Sequence, residues 1–195
     1  MVTVVTTLTP TADTTPVGVS VPKELSGVVW CSRFAGSRDV EALNDPFRGN
    51  LKRFMDALRT AGVVVNPQAT YRPKQRAYLM HYCVKVASGR IAPEQVPACE
   101  GVHIQWDHGN PHQSKAAAQA MQSEYGIVYP AAYPTRHSDR TAIDMSLSDY
   151  VNRSVADAHG QTILVRKESD LYPIGRSYGV LKLIPDRPHW SADGS

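Results

Sequence analysis

Apolar positions along the chain fall into short stretches with two kinds of spacing. From Asn50 to Thr60, Leu51, Phe54, Met55 and Leu58 recur every three or four residues, which predicts one face of a helix that Gly62 then stops. Val63, Val64 and Val65 are β-branched and predict a buried strand that breaks through Asn66 and Pro67 towards Thr70 and Tyr71. Pro73 suits a first helical turn, and a second helix is expected from there through Leu79, Tyr82, Cys83 and Val86 to Gly89. Ile91 to Asn110 holds several Pro and Gly and no sustained period, so it reads as a long surface loop. Ala-rich Gln113 to Tyr125 predicts a third helix ending at Gly126. The remainder reads as strands over Thr141 to Leu147, Thr162 to Arg166 and Gly179 to Ile184, with a short helix around Leu171 to Tyr178. Helices come first and strands later, without an internal repeat. The expected fold is therefore α+β, with helices packed on one face of a small, mainly antiparallel sheet.

Composition narrows the function. A chain of 195 residues fits a single core. The first 22 residues are rich in Thr and Pro and lack periodicity, so residues 1–22 are expected to be a flexible leader and residues 23–195 one domain. Lys and Arg number 21 against 18 Asp and Glu, and a net charge of +3 is too small and scattered for a nucleic-acid footprint. Apolar runs of a few residues, such as Val63 to Val65, fall far short of the roughly 20 that span a bilayer, so no membrane insertion is expected. No Lys or Arg precedes Lys23 and no apolar stretch follows, which predicts synthesis in the cytoplasm without a secretory signal. Cys31, Cys83 and Cys99 are odd in number and lack CxxC spacing, and read as small buried hydrophobes rather than a disulfide or thiolate framework.

Two short segments carry most of the chemistry. One runs from Pro134 to Met145 and contains His137 and Asp144; the other runs from Ile184 to Trp190 and contains Asp186 and His189. Two His and one Asp form a set that zinc accepts, leaving a fourth position open as a catalytic site requires. If His189 is a ligand, Asp186 three residues earlier stands at an offset suited to a general base, with Pro188 restricting the backbone between them. Arg72, at a strand-to-helix turn, suits a carboxylate or oxyanion clamp. Each has a plain reading when taken alone: a chance His and Asp, an Asp186 paired with Arg187, a solvated Arg72. Asp144 is more pointed, because a carboxylate among Ala142, Ile143 and Met145 is costly to bury without a partner.

The combination resembles the zinc peptidases of the D-Ala-D-Ala carboxypeptidase group, which includes the VanX and VanY type enzymes and several phage endolysins. Their first motif, SxHxxGxAxD, is matched by Thr135, His137, Arg140, Ala142 and Asp144; their second, an acidic residue, two positions, His and an aromatic, by Asp186, His189 and Trp190. An upstream Tyr-Arg motif with a following Gln is matched by Tyr71, Arg72 and Gln75. The resemblance spans about Leu51 to Trp190. It implies that His137, Asp144 and His189 hold one zinc ion, that Asp186 is the general base, and that Arg72 stabilises the transition state or binds substrate. It further implies that Gln75, Thr135 and Trp190 line the substrate site. Thr135 in place of Ser keeps the hydroxyl. Arg140 stands where the family has Gly, and if that Gly serves a positive φ, the turn is expected to be built differently here.

The implied activity is hydrolysis of a peptide bond in the stem peptide of bacterial peptidoglycan, as a carboxypeptidase or endopeptidase acting on the cell wall after release or injection. A delivery or immunity partner is compatible with this and unidentified. Two other readings stand beside it: a non-catalytic wall-binding or virion structural module, and a zinc amidohydrolase acting on another small amide. His108 and His112 are four apart, but Gly109 and Pro111 argue against a helix between them and no HExxH Glu is present. With His103 they read as loop or rim residues, and Trp106 reads as a groove wall or a loop anchor.

Overall fold

Helix α1 spans Phe47–Thr60 and buries Phe47, Leu51, Phe54, Met55 and Leu58 along one stripe, one turn longer at its start than the spacing predicts because the apolar stripe already begins at Phe47. It ends in a turn at Gly62, whose φ of +81° suits a residue without Cβ. The computed structural model describes residues 21–195, so the expected leader lies outside the described residues except for its last two positions. Strand β1 is Glu24–Leu25, β2 is Val64–Ala69, and helix α2 is Lys74–Ala87. Strand β3 is Ile104–Gln105, and helix α3, Pro111–Tyr125, begins two residues earlier than expected because the Asn110 side chain caps the amides of His112 and Gln113. Then come β4 (Ala142–Ser148), β5 (Arg153–Ala156), β6 (Thr162–Val165), α4 (Leu171–Ser177), β7 (Leu181–Lys182) and β8 (His189–Ser191).

The main sheet has the order β2-β4-β8-β7 with antiparallel neighbours throughout. β5 and β6 form an antiparallel hairpin, and β1 lies parallel to β3. The fold is thus mixed α/β with four helices among the described residues. Ile143, Met145 and Trp190 face α1 and α4 in one apolar cluster with Phe54, Leu58, Leu171 and Ile174. Gly175 of α4 lies so close to β8 that a Cβ there would stand 2.7 Å from the Trp190 ring.

The expectation that all helices pack on one sheet face holds for α1 and α4 only. Helices α2 and α3 pack on each other and build a second cluster with Trp30, Cys83, Val102, Ile104 and Trp106. That cluster also corrects the surface-loop reading of residues 91–110: Cys99, Val102, Ile104 and Trp106 are buried there, and Trp106 Nε1 donates to Tyr78 Oη at 3.1 Å, which makes Trp106 an anchor. Val63 is buried but Val64 is exposed, so the valine run is an alternating strand rather than a wholly buried one. The strand expected over Gly179 to Ile184 shortens to β7, and β5 and β8 are additions too short to carry a sequence period. The three cysteines are buried and free, and burial pushes the Cys83 thiol up to about 12.

Candidate metal centre

Asp144 on β4 and His189 on β8 are directly paired across the sheet, as are their neighbours Ile143 and Trp190. Side chains alternate faces along a strand, so this register puts Asp144 and His189 together on one face and Ile143 and Trp190 together on the other. His137 reaches the same point from the turn before β4. Its Nε2 lies 3.1 Å from Asp144 Oδ1 and 3.2 Å from His189 Nδ1, and His189 Nδ1 lies 3.1 Å from the same Oδ1. Three donor atoms about 2.1 Å from one ion sit about 3.4 Å apart at tetrahedral angles, close to the triangle seen here.

The outer nitrogens of both rings decide the chemistry of this triangle. His137 Nδ1 faces the Thr70 carbonyl at 3.4 Å, and His189 Nε2 faces the Ser195 carbonyl at 3.1 Å. In the tautomer in which each outer nitrogen donates its proton to the oxygen it faces, both rings turn a lone pair inward, as metal ligands do. In that tautomer two lone pairs and a carboxylate converge on one point, an arrangement that a bound cation stabilises. His137, Asp144 and His189 can therefore hold a metal ion, and they are the one such cluster among the described residues.

Surrounding groups fix the cluster. Thr70 is fully buried and donates its hydroxyl to the Ser37 and Asp39 carbonyls, which holds its own carbonyl beneath His137. Thr135 Oγ1 accepts from the His137 amide at 3.4 Å, so its hydroxyl braces a ligand. Arg72 Nη2 donates to Asp144 Oδ2 at 3.4 Å and leaves Oδ1 for the cluster. Its backbone is tied to the ligand turn through its amide to the His137 carbonyl and through Ser138 Oγ to its own carbonyl. Burial pushes the Asp144 carboxyl up, but its close contacts with the His137 and His189 rings and the charge of Arg72 outweigh it and hold the group well below the usual carboxylate range. Burial lowers the Arg72 guanidinium, opposed by Asp144.

The cluster opens into a cleft of about 790 Å³ lined by Arg72, Thr135, His137, Asp144, Asp186 and His189, with apolar walls from Met80 and residues 127–132. Tyr129 and Ile184 stand at the cleft edge and near it, 78% and 74% exposed. Asp186 is exposed and lines the cleft.

Not every anticipated residue reaches the cleft. Trp190 is 1% exposed and packs against Phe54 and Tyr172; the strand alternation that aims His189 at the cleft aims Trp190 into the core, so it does not line the cleft. Gln75 is directed at the Glu100 carbonyl, 3.4 Å away, and does not line the cleft, because it sits on the turn of α2 facing residues 100–101. Arg140 keeps a φ of +59°, so the turn is not rebuilt. Its guanidinium instead lies 3.9 Å over the Tyr71 ring and donates to the Ala42 carbonyl at 2.9 Å, contacts that offset the strain of that φ. His108 bonds Ser26 and His112 lies exposed in the first turn of α3, so neither joins the cluster.

Besides Thr70, two contributors carry no sequence signal. Ser195 and Lys182 act through or upon backbone carbonyls: Lys182 Nζ donates to those of Leu183, Asp186 and His189. Comparison with known proteins finds no family profile, curated protein or solved structure that matches this chain.

Proposed function

We propose that this chain is a zinc-dependent peptidase that hydrolyses a peptide bond in the stem peptide of bacterial peptidoglycan. The observation that carries the metal reading is the inward convergence of the His137, Asp144 and His189 donors with both outer ring nitrogens facing carbonyls. Borderline-soft zinc suits two imidazoles and one carboxylate, and three protein ligands are the set of a catalytic rather than a structural site. The peptidoglycan substrate follows from the motif resemblance over His137 to Asp144 and Asp186 to His189.

When bound, zinc supplies Lewis acidity, acidifying water and polarising an amide carbonyl. Asp186, exposed at the cleft, takes the proton from the attacking water on a carboxylate oxygen as the carbon–oxygen bond forms. It then passes that proton to the amide nitrogen as the carbon–nitrogen bond breaks, so one water is consumed and a carboxylic acid and an amine are released. Arg72 places positive charge beside Asp144 and at the cleft, where negative charge develops on the amide oxygen. The apolar walls of residues 127–132 and Leu183 flank the peptide and limit water access.

Digesting purified sacculi with the full chain and identifying new termini by mass spectrometry tests the reading. The expected result is release of muropeptides with one newly hydrolysed stem-peptide bond, abolished by chelation and restored by zinc. Zinc-loaded protein that leaves sacculi intact while hydrolysing another amide overturns the peptidoglycan substrate; metal binding without any turnover overturns the enzyme.

A further inference from the structure

The turn from Leu183 to His189 carries both the base Asp186 and the ligand His189, and from outside its backbone is tied to β4 by the Met145 amide, which donates to the Pro188 carbonyl at 2.9 Å. Ile184, Pro185, Asp186 and Arg187 are all exposed. Within the turn, backbone bonds run from the Leu183 amide to the His189 carbonyl at 3.2 Å, from the Asp186 amide to the Leu183 carbonyl at 3.2 Å and from the His189 amide to the Asp186 carbonyl at 3.0 Å. The Arg187–Glu168 ion pair at 3.1 Å is its surface tie, and such pairs contribute little.

Lys182 adds a charged side-chain tie that reaches the base as well as both ends of the turn. Its stem leaves β7 beside Trp190 and Tyr172, with Nζ 5.7 Å and 6.0 Å from their ring centres. From there Nζ donates to the Leu183 and Asp186 carbonyls at 2.5 Å each and to the His189 carbonyl at 3.1 Å. An ammonium has three donors and no acceptor, so these three carbonyls saturate it. Each is a charge-assisted bond, stronger than a neutral one. The three carbonyls belong to the first residue of the turn, the base and the ligand.

We infer that Lys182 is a positioning residue: its ammonium gathers the Leu183, Asp186 and His189 carbonyls onto one point and so fixes the base and the third ligand relative to each other. This rests on the zinc-site reading above. Lys182 touches neither substrate nor metal in this role and acts through the backbone of the turn.

The test uses the full chain and zinc affinity measured by competition with a chromophoric chelator, with the visible spectrum of the cobalt-loaded protein as a second readout. Lys182→Met keeps the apolar stem against Trp190 but removes the three donors. It is expected to weaken zinc binding about 10- to 100-fold, the usual cost of losing an outer-shell contact, and to alter the cobalt spectrum. Lys182→Arg keeps charge, stem and ring contact, but its planar fork cannot converge on three carbonyls. Failure of Arg to restore affinity therefore separates the proposed role from packing or simple charge. Lys182→Ala is expected to regain affinity in ethylammonium at neutral pH, which also serves if the Met variant does not fold. Zinc affinity in Lys182→Met within about twofold of the parent, or full recovery by Arg, overturns the inference while leaving the metal site standing. A parent protein that binds no zinc overturns both.

Discussion

Asp144 and Asp186 are carboxylates of the same cleft, and in the proposed mechanism their different surroundings suit them to opposite tasks. Asp144 has both oxygens engaged, one by the two imidazoles and one by Arg72; Asp186 stands exposed at the cleft. Replacing them must therefore fail in different ways. Asp186→Ala is expected to retain stoichiometric zinc, measured by elemental analysis, while turnover falls about 10²- to 10⁴-fold, the usual worth of a general base. Full turnover in that variant removes Asp186 from the mechanism. The ligand residues were legible in the sequence because a metal site needs particular side chains in a fixed order. Thr70, Lys182 and Ser195 were not, because what they contribute is a carbonyl or a contact to one, and every residue type carries a carbonyl.

At the scale of the element, strand β8 shows why local pattern reached only part of the fold. It is three residues long, His189–Ser191, all buried, so it has neither the length nor the alternation that marks a strand in sequence. The helices were legible because α1 repeats its apolar spacing over several turns and α3 is Ala-rich and stops at Gly126, φ +64°, whereas its Asn110 cap went unread. What β8 lacks in pattern it gains from register: Ile143 opposite Trp190 fixes Asp144 opposite His189. Trp190→Ala removes a buried side chain packed on Phe54, Tyr172 and the close-approaching Gly175, and is expected to cost about 3–5 kcal/mol of stability. Chemical denaturation measures this directly, and zinc affinity should fall with it because β8 aims His189. A substrate-contacting Trp190 would instead raise KM and leave the denaturation midpoint unchanged.

Across the whole molecule, the site lies where two separately packed halves meet. The sheet with α1 and α4 supplies Asp144 and His189, while Ile127, packed against the second cluster, borders the cleft from the other side. The ligands span residues 137 to 189, so a bound ion ties the turn before β4 to the far end of the chain. Its binding free energy is then also folding free energy, since the unfolded chain holds no preformed site. With free zinc at about 100 times its dissociation constant, the gain is about 2.7 kcal/mol. For a domain of this size, about 2–4 °C per kcal/mol converts that to a rise of about 5–11 °C in the thermal midpoint. Differential scanning calorimetry with and without zinc reads this shift, and His189→Ala is expected to abolish it while Asp186→Ala preserves it, because the base shapes turnover and the ligand shapes stability. A midpoint that zinc does not move in the parent protein removes the ion from the fold and, with it, the reason for three inward donors at one point.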